Sequence, residues 1–216
     1  VSREKSVAAI QEAMVEEQKI FLTAQKEIET DNPKQEDVFP VGTVGTIKQI
    51  IKLPKRIVRV LVAGESRGIL NSMEYEEPYL RAMVDVVDDS DITVPEDLNG
   101  EALIRGLKDM FVDYAAKNGK MSKEAVAQIL EIKDLKKLVD EIAANIPLYY
   151  TDQQDILNET EFWKRYELLA FKLVNEVQIM DIKEEIQQKV KERVDKHQRE
   201  YILKRTVKTD KRRAGR

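Results

Sequence analysis

Cysteine is absent from this 216-residue chain, and histidine occurs once. The first absence excludes disulfides, thiolate catalysis, iron–sulfur clusters and cysteine zinc sites. The second leaves His197 as the only imidazole for base catalysis, and removes the usual His-rich metal centres. Glycine is scarce too. The eight glycines form neither G-x-x-x-x-G-K followed by Ser or Thr, nor G-x-G-x-x-G, so nucleotide binding is unsupported. No apolar run approaches the roughly 18 residues that a membrane helix requires, and Val1-Ser-Arg-Glu-Lys does not read as a signal peptide. What is present, 42% hydrophobic and 35% charged residues, is too apolar for a disordered chain and suits long solvated helices. A soluble, cytoplasmic protein with little chemical equipment is expected.

Val7, Ile10, Ala13 and Met14 recur at helical spacing within residues 3–17, with Ser2 as candidate N-cap. Lys19 to Ala24, the β-branched run Val41 to Leu53, Ile57 to Ala63 and Tyr79 to Val87 read as strands, with Gly64 and Gly68 bracketing a turn or bulge. Long helices do not separate these segments. A mixed or antiparallel sheet curled into a small barrel is therefore expected rather than a parallel sheet. Residues 88–100 (DDSDITVPEDLNG) break the pattern and read as a domain boundary.

Everything beyond reads as helix. Leu103, Leu107, Met110, Phe111 and Tyr114 share one face, and Asn118-Gly119 ends that helix. Ser122 caps the next, with Val126, Ile129 and Leu130 turned inward. Asp134 to Ile146 repeats the pattern up to Pro147, and Thr151 can cap a short helix carrying Ile156 and Leu157. From Glu161 to about Lys204 neither Pro nor Gly interrupts, which is ~65 Å of helix. Its first part, Phe162 to Val177, is apolar enough for a bundle. A thin stripe then continues at Ile179, Ile182, Ile186, Val190, Val194, His197 and Tyr201, where eleven-residue repeats fit better than heptads. One apolar residue per turn does not hold such a helix alone, so it needs a partner: another copy, or a further domain.

Charge divides along the same boundary. Residues 1–98 are net −7 and residues 99–216 net +3, while the last twelve alone are net +5 and everything before them net −9. Such a tail, Lys204 to Arg216, can contact phosphates nonspecifically, but lacks interleaved aromatics to read bases and reads as a charged disordered end. Gly64-Glu65-Ser66-Arg67-Gly68 matches the G-x-S-x-G nucleophile elbow. That motif needs a strand–turn–helix context and a His, and the context here is closer to strand–turn–strand. Asp88, Asp89 and Asp91, or Glu74, Glu76 and Glu77, have the chemistry to hold a hard cation weakly but lack a Ca²⁺-loop pattern. Met73, Tyr75 and Tyr79, beside a turn, are candidates for an exposed apolar surface that contacts a protein substrate.

The order of these parts, β-rich half, acidic linker, helical bundle and long polar helix, resembles the N-terminal region of the ATP-dependent Lon protease family. The segments that carry it are Arg3-Glu-Lys-Ser6, Val41-Gly-Thr-Val-Gly-Thr-Ile-Lys-Gln-Ile-Ile-Lys-Leu-Pro54, and Val58-Arg-Val-Leu-Val-Ala-Gly-Glu-Ser-Arg67. In the helical half they are Ile146-Pro-Leu148, Gln154-Asp-Ile-Leu157 and Gln198-Arg-Glu-Tyr-Ile-Leu203. The resemblance implies an α+β chain: a PUA-like β-barrel over 1–90, a helical bundle over 99–177, a stalk helix over 178–204 and a basic tail over 205–216. It implies a module that captures unfolded or tagged proteins and passes them to an AAA+ ring and a Ser-Lys peptidase, usually in a hexamer. Catalytic, cofactor and metal residues are then expected to be none in this chain, with ATP and Mg in the absent ATPase domain. A stand-alone PUA-like module binding nucleic acid is the alternative.

Two departures from the family pattern bear on the ends. The family's first barrel strand, with its Pro-Leu-Arg, has no counterpart ahead of Val1, so an unpaired sheet edge is expected. After Lys204 the family continues as EQLKQIREELG, whereas this chain reads RTVKTDKRRAG. One nucleotide sequence read in two frames encodes both strings, so the tail is expected to be a frameshift product, checkable in the coding DNA.

Overall fold

Alternation in β-branched residues and punctuation by Pro and Gly carry through into the architecture. A computed structural model describes every residue except 28, 55–56, 76–77, 90–91, 95–98 and 215–216, and describes backbone alone at 75 and 202–214. Its elements are α1 (Glu4–Val15), β1 (Lys19–Leu22), a 3₁₀ turn (Gln35–Asp37), β2 (Val41–Lys52), β3 (Val58–Tyr75) and β4 (Leu80–Val86). Then come α2 (Gly100–Asn118), α3 (Lys123–Leu130), α4 (Leu135–Asn145), α5 (Tyr150–Asn158) and α6 (Phe162–Ala214). The chain folds as two compact units. The first comprises Val1–Asn99 with Lys136–Leu168, the second Gly100–Leu135 with Leu169–Arg216.

In the first unit the four strands form one sheet in the order β1-β2-β3-β4. Every named pairing is antiparallel, with β2 and β3 in register from Val41↔Ile69 to Lys52↔Val58. Gly42 and Gly68 stand opposite each other in that ladder. A Cβ on Gly42 would lie 2.3 Å from the Leu22 carbonyl oxygen and 2.7 Å from the Phe21 ring, so the missing side chain is what lets β1 close over β2. Ile47, Val41, Val58 and Leu70 from the sheet are buried, as are Leu138, Val139, Ile142, Ile146 and Ile156 from α4 to α5. The side chain of Gln154 on α5 donates to the Val41 carbonyl at 2.9 Å, tying helix to sheet. On the other side of β3, Val1 and Val58 exchange both backbone hydrogen bonds at 2.8 Å, and Val87 donates to the Arg67 carbonyl at 2.9 Å. Between them no described strand pairs with β3 residues 59–66 on that edge.

The second unit buries Leu107, Phe111 and Tyr114 of α2, Ile129 of α3, and Leu169 and Leu173 of α6. Ser122 caps α3 as expected, its Oγ accepting the Ala125 N–H at 3.1 Å. Gly119, at φ +63°, takes the left-handed position just past α2, where a Cβ is unfavourable.

Several local expectations are corrected. Ser2 does not cap α1: the N-cap is Arg3, without a side-chain bond. Thr151 does not cap α5, which begins one residue earlier behind Tyr149. Of the turn or bulge expected between Gly64 and Gly68, the bulge is what forms: β3 runs unbroken through them with a register shift opposite Val44/Gly45. The tail is not an irregular end: the α6 backbone stays helical to Ala214, 53 residues in all and ~80 Å. No Pro or Gly precedes Gly215 to stop it.

Candidate functional site

Within the first unit a cleft of about 1170 Å³ opens between β3, the end of β4, α4 and α5. Its walls are unlike one another. Val86, Val87, Ala143, Ala144, Ile156 and Leu157 supply apolar surface, while Glu65, Ser66, Arg67, Asp89, Lys136 and Asp140 supply polar groups. The polar groups are largely committed to each other. Arg67 on β3 forks onto Asp140 of α4, Nη2 to Oδ1 at 2.8 Å and Nη1 to Oδ2 at 3.2 Å. Lys136 donates to the Asp89 carbonyl at 2.8 Å.

Behind this wall sits Arg165, on the first turn of α6 and fully buried. Its Nη2 donates to Asp89 Oδ2 at 2.5 Å and its Nη1 to the Glu159 carbonyl at 3.1 Å. Nε lies 3.7 Å from Asp140 Oδ1, and the guanidinium stands 5.4 Å from the Phe162 ring centroid. Asp140 thus lies between two arginines from different elements, and Asp89 pairs with the buried one. A buried guanidinium persists only where carboxylates offset its lost hydration. Arg165 belongs to no sequence motif. The signal was its spacing: Phe162, Arg165, Leu169 and Leu173 lie on one helical stripe, which puts position 165 inward.

Glu65 stands at the cleft's sheet side. Its carboxylate accepts from Lys19 and, at 2.5 Å, from Thr46 Oγ1. The Lys19 bond first, then the Thr46 bond, hold its pKa below the ordinary value of 4.5. A lowered carboxylate stabilises the fold above its unfolded pKa, and that contribution is lost as pH falls through the folded value. The stability gap between the parent and Glu65→Gln should therefore narrow as pH drops from neutral to below 4.5. Urea titrations at a series of pH values check this; a gap independent of pH would remove Glu65 from the account.

Ser66 lies inside β3, paired with Val44, and not on a strand-to-helix turn. His197 is exposed on α6. Neither has the elbow setting that G-x-S-x-G chemistry requires. Asp89 is engaged by Arg165, while Asp91, Glu76 and Glu77 lie outside the described residues. Met73 sits on β3 opposite Ala82, half-buried, and Tyr75 ends the same strand opposite Leu80, its side chain outside the described residues. Tyr79 is half-buried in the connection to β4, where its hydroxyl accepts from Arg81 Nη2 at 3.0 Å. Met73, Tyr75 and Tyr79 do not line the cleft, whose walls combine a few apolar side chains with charged ones.

An antiparallel sheet with helices packed on it, followed by a long helix, places the chain in the α+β class. The chain belongs to the family of ATP-dependent protease La (LON) substrate-binding domains, whose model matches residues 1–176. It is 37% identical over 215 residues to the Lon protease of Lachnoclostridium phytofermentans, covering all of this chain and 26% of that relative. It is 38% identical to the Lon protease of Clostridioides difficile, covering 28% of it, and 34% identical to Lon protease 1 of Bacillus subtilis, covering 27%. The chain thus spans about a quarter of the length of the curated relatives it matches. In fold it is similar to the N-terminal domain of Mycobacterium avium complex Lon protease, with TM-score 0.61 at 16% identity over 79% of this chain and 86% of that one. The nucleic-acid alternative is not favoured, since the matched family is the substrate-binding domain of a protease. Among the described residues no helix is long and apolar enough to cross a membrane.

Proposed function

We propose that this chain is the substrate-recognition and assembly part of a Lon-type ATP-dependent serine protease, binding unfolded or tagged proteins and catalysing nothing itself. The observation that carries the reading is the substrate-binding family match over residues 1–176. Its sequence supplies no phosphate loop and no elbow-placed serine. ATP and Mg are accordingly handled by parts of the longer relatives beyond the matched quarter. The bacterial relatives support a cytoplasmic setting. Met73, Tyr75 and Tyr79 are the side chains we assign to substrate contact, because the flexible thioether of Met and the amphipathic ring of Tyr adapt to varied apolar sequences.

Fluorescently labelled, reduced casein is a suitable probe. The chain should raise its anisotropy saturably, and Met73→Ser with Tyr79→Ser should weaken binding about tenfold, roughly 1.4 kcal/mol. No binding by the folded parent would refute the recognition role. Undiminished binding by the double variant would move the grip elsewhere. Casein hydrolysis with ATP by the homogeneous chain would overturn its non-catalytic character.

A further inference from the structure

Between Val41 and Gly64 the sequence carries Lys48, Lys52, Lys55, Arg56 and Arg59 and no acid, although the first unit as a whole has 26 acidic and 16 basic side chains, net −10. The paired ends of β2 and β3 turn one face to solvent. Ile51 stands opposite Arg59 and Gln49 opposite Leu61, and residues opposite each other in a ladder share a face. The reverse face holds Val58, buried, with Ile50 and Val60 half-buried. On the outer face Leu61 is 59% and Ile51 42% exposed, and Ile57, just ahead of β3, is 40% exposed. Lys48, Lys52 and Arg59 are exposed around them, and their side chains hold no hydrogen bond or ion pair among the described residues.

We propose that this face docks a short extended segment of a partner polypeptide whose acidic and apolar side chains alternate along one side. The argument is charge complementarity joined to an apolar centre. Arg59 is flanked by Leu61 along β3 and by Ile51 across the ladder, so cationic and aliphatic groups alternate in both directions. An extended segment presents every second side chain on the same side, about 6.5–7 Å apart, which is the spacing of Arg59 and Leu61. Carboxylates then meet Arg59, Lys48 and Lys52 while the intervening apolar side chains cover Leu61 and Ile51. Each contact answers a group that is otherwise left to water.

The composition of the face selects a polypeptide over a nucleic acid. Single strands are held by aromatic side chains on which bases stack, and Val41 to Gly64 contains no aromatic residue. A phosphate backbone offers nothing apolar to Leu61 and Ile51. The surrounding unit also limits the length of the segment. Its net −10 repels acidic chains at large, so attraction is confined to roughly 8 Å around the basic face at physiological salt. The surface lies at the start of β3, whereas Met73 and Tyr75 lie at its end. It is therefore a contact beyond the one assigned to Met73, Tyr75 and Tyr79.

The probe is a short fluorescent peptide repeating Glu-Ser-Leu-Ser, titrated with the whole chain and followed by anisotropy. It should bind saturably, and more weakly as salt is raised. Peptides with Lys in place of Glu, or Ser in place of Leu, should each bind about tenfold or more weaker. In the chain, Lys48→Glu with Arg59→Glu should cost a similar factor, as should Ile51→Ser with Leu61→Ser, while Lys191→Glu on α6 should change nothing. All these positions are exposed, and urea titration checks that each variant stays folded. No binding by the parent would overturn the proposal, as would full binding by either folded double variant or an equal loss in Lys191→Glu. Tighter binding of a single-stranded oligonucleotide, lost in the Lys48 and Arg59 variant, would make the occupant a nucleic acid and overturn it too. Self-association of the parent that the same variant abolishes would overturn it in favour of a second copy.

Discussion

Arg165→Ala should lower the stability of the chain by about 3 kcal/mol in urea titrations followed by the fluorescence of Trp163, the only tryptophan. Two losses combine. The guanidinium that joins Asp89, Asp140 and the Glu159 carbonyl disappears, and its fully buried stem leaves a void against Phe162. The carboxylates keep part of their hydration, with side chains 27% and 45% exposed, which is why the expected loss sits at the low end for a broken buried pair. Arg165→Met should cost less, because it refills the void. A loss within ~0.5 kcal/mol for the alanine variant, the range of an ordinary surface change, would mean that the buried guanidinium does not hold this corner.

Gly42→Ala should be the other severe change, costing about 3 kcal/mol for a single methyl group. The added Cβ meets the Leu22 carbonyl oxygen at 2.3 Å and the Phe21 ring edge at 2.7 Å. The ring can turn away, but the carbonyl is backbone in the β1–β2 ladder and moves only with the strand. Gly68→Ala, on the facing position, meets only side-chain ends: Val84 Cγ1 at 2.5 Å, Val44 Cγ2 at 3.0 Å and Phe21 Cε2 at 3.1 Å. It should cost distinctly less. Midpoints in urea for the two variants decide the matter, and an equal or reversed order would refute the backbone explanation.

The same glycines show how far the sequence could be read. Gly64 and Gly68 signalled a backbone irregularity around Glu65, and the register slip opposite Val44/Gly45 lies there. That β3 continues straight through them depends on partners far along the chain: β2 on one side and β4 from residue 68 onward. Helix caps divided similarly. Ser122 caps because its side chain reaches an N–H three residues on, a purely local geometry. Ser2 and Thr151 had the same chemistry, but the first helical turn falls elsewhere, where the backbone joins Val58 or leaves Pro147.

The candidate site was less legible. Met73, Tyr75 and Tyr79 could be picked out by type and by their turn, yet Arg67, Asp89, Asp140 and Arg165 are scattered over almost 100 positions. No window of sequence shows that two arginines and two aspartates will share one wall. The inward spacing of Arg165 was the one local trace.

By itself the amino-acid sequence determined the class of the protein: the absence of cysteine and of phosphate loops, the strands and helices with most of their limits, the apolar stripe on α6 and the family. Those properties rest on side-chain periodicity, turn chemistry and composition, which act over a few residues at a time. The tertiary structure alone decided that α4, α5 and the start of α6 join the sheet in one unit while α2 and α3 join the rest of α6 in another. It also decided which charges are buried together and where the cleft opens. An amphipathic helix records that it has an apolar face but not what it will cover, since every apolar face gains about the same free energy per unit area from leaving water. The choice among partners is made by shape and by the pairing of buried charges, which only the assembled fold brings within reach of one another.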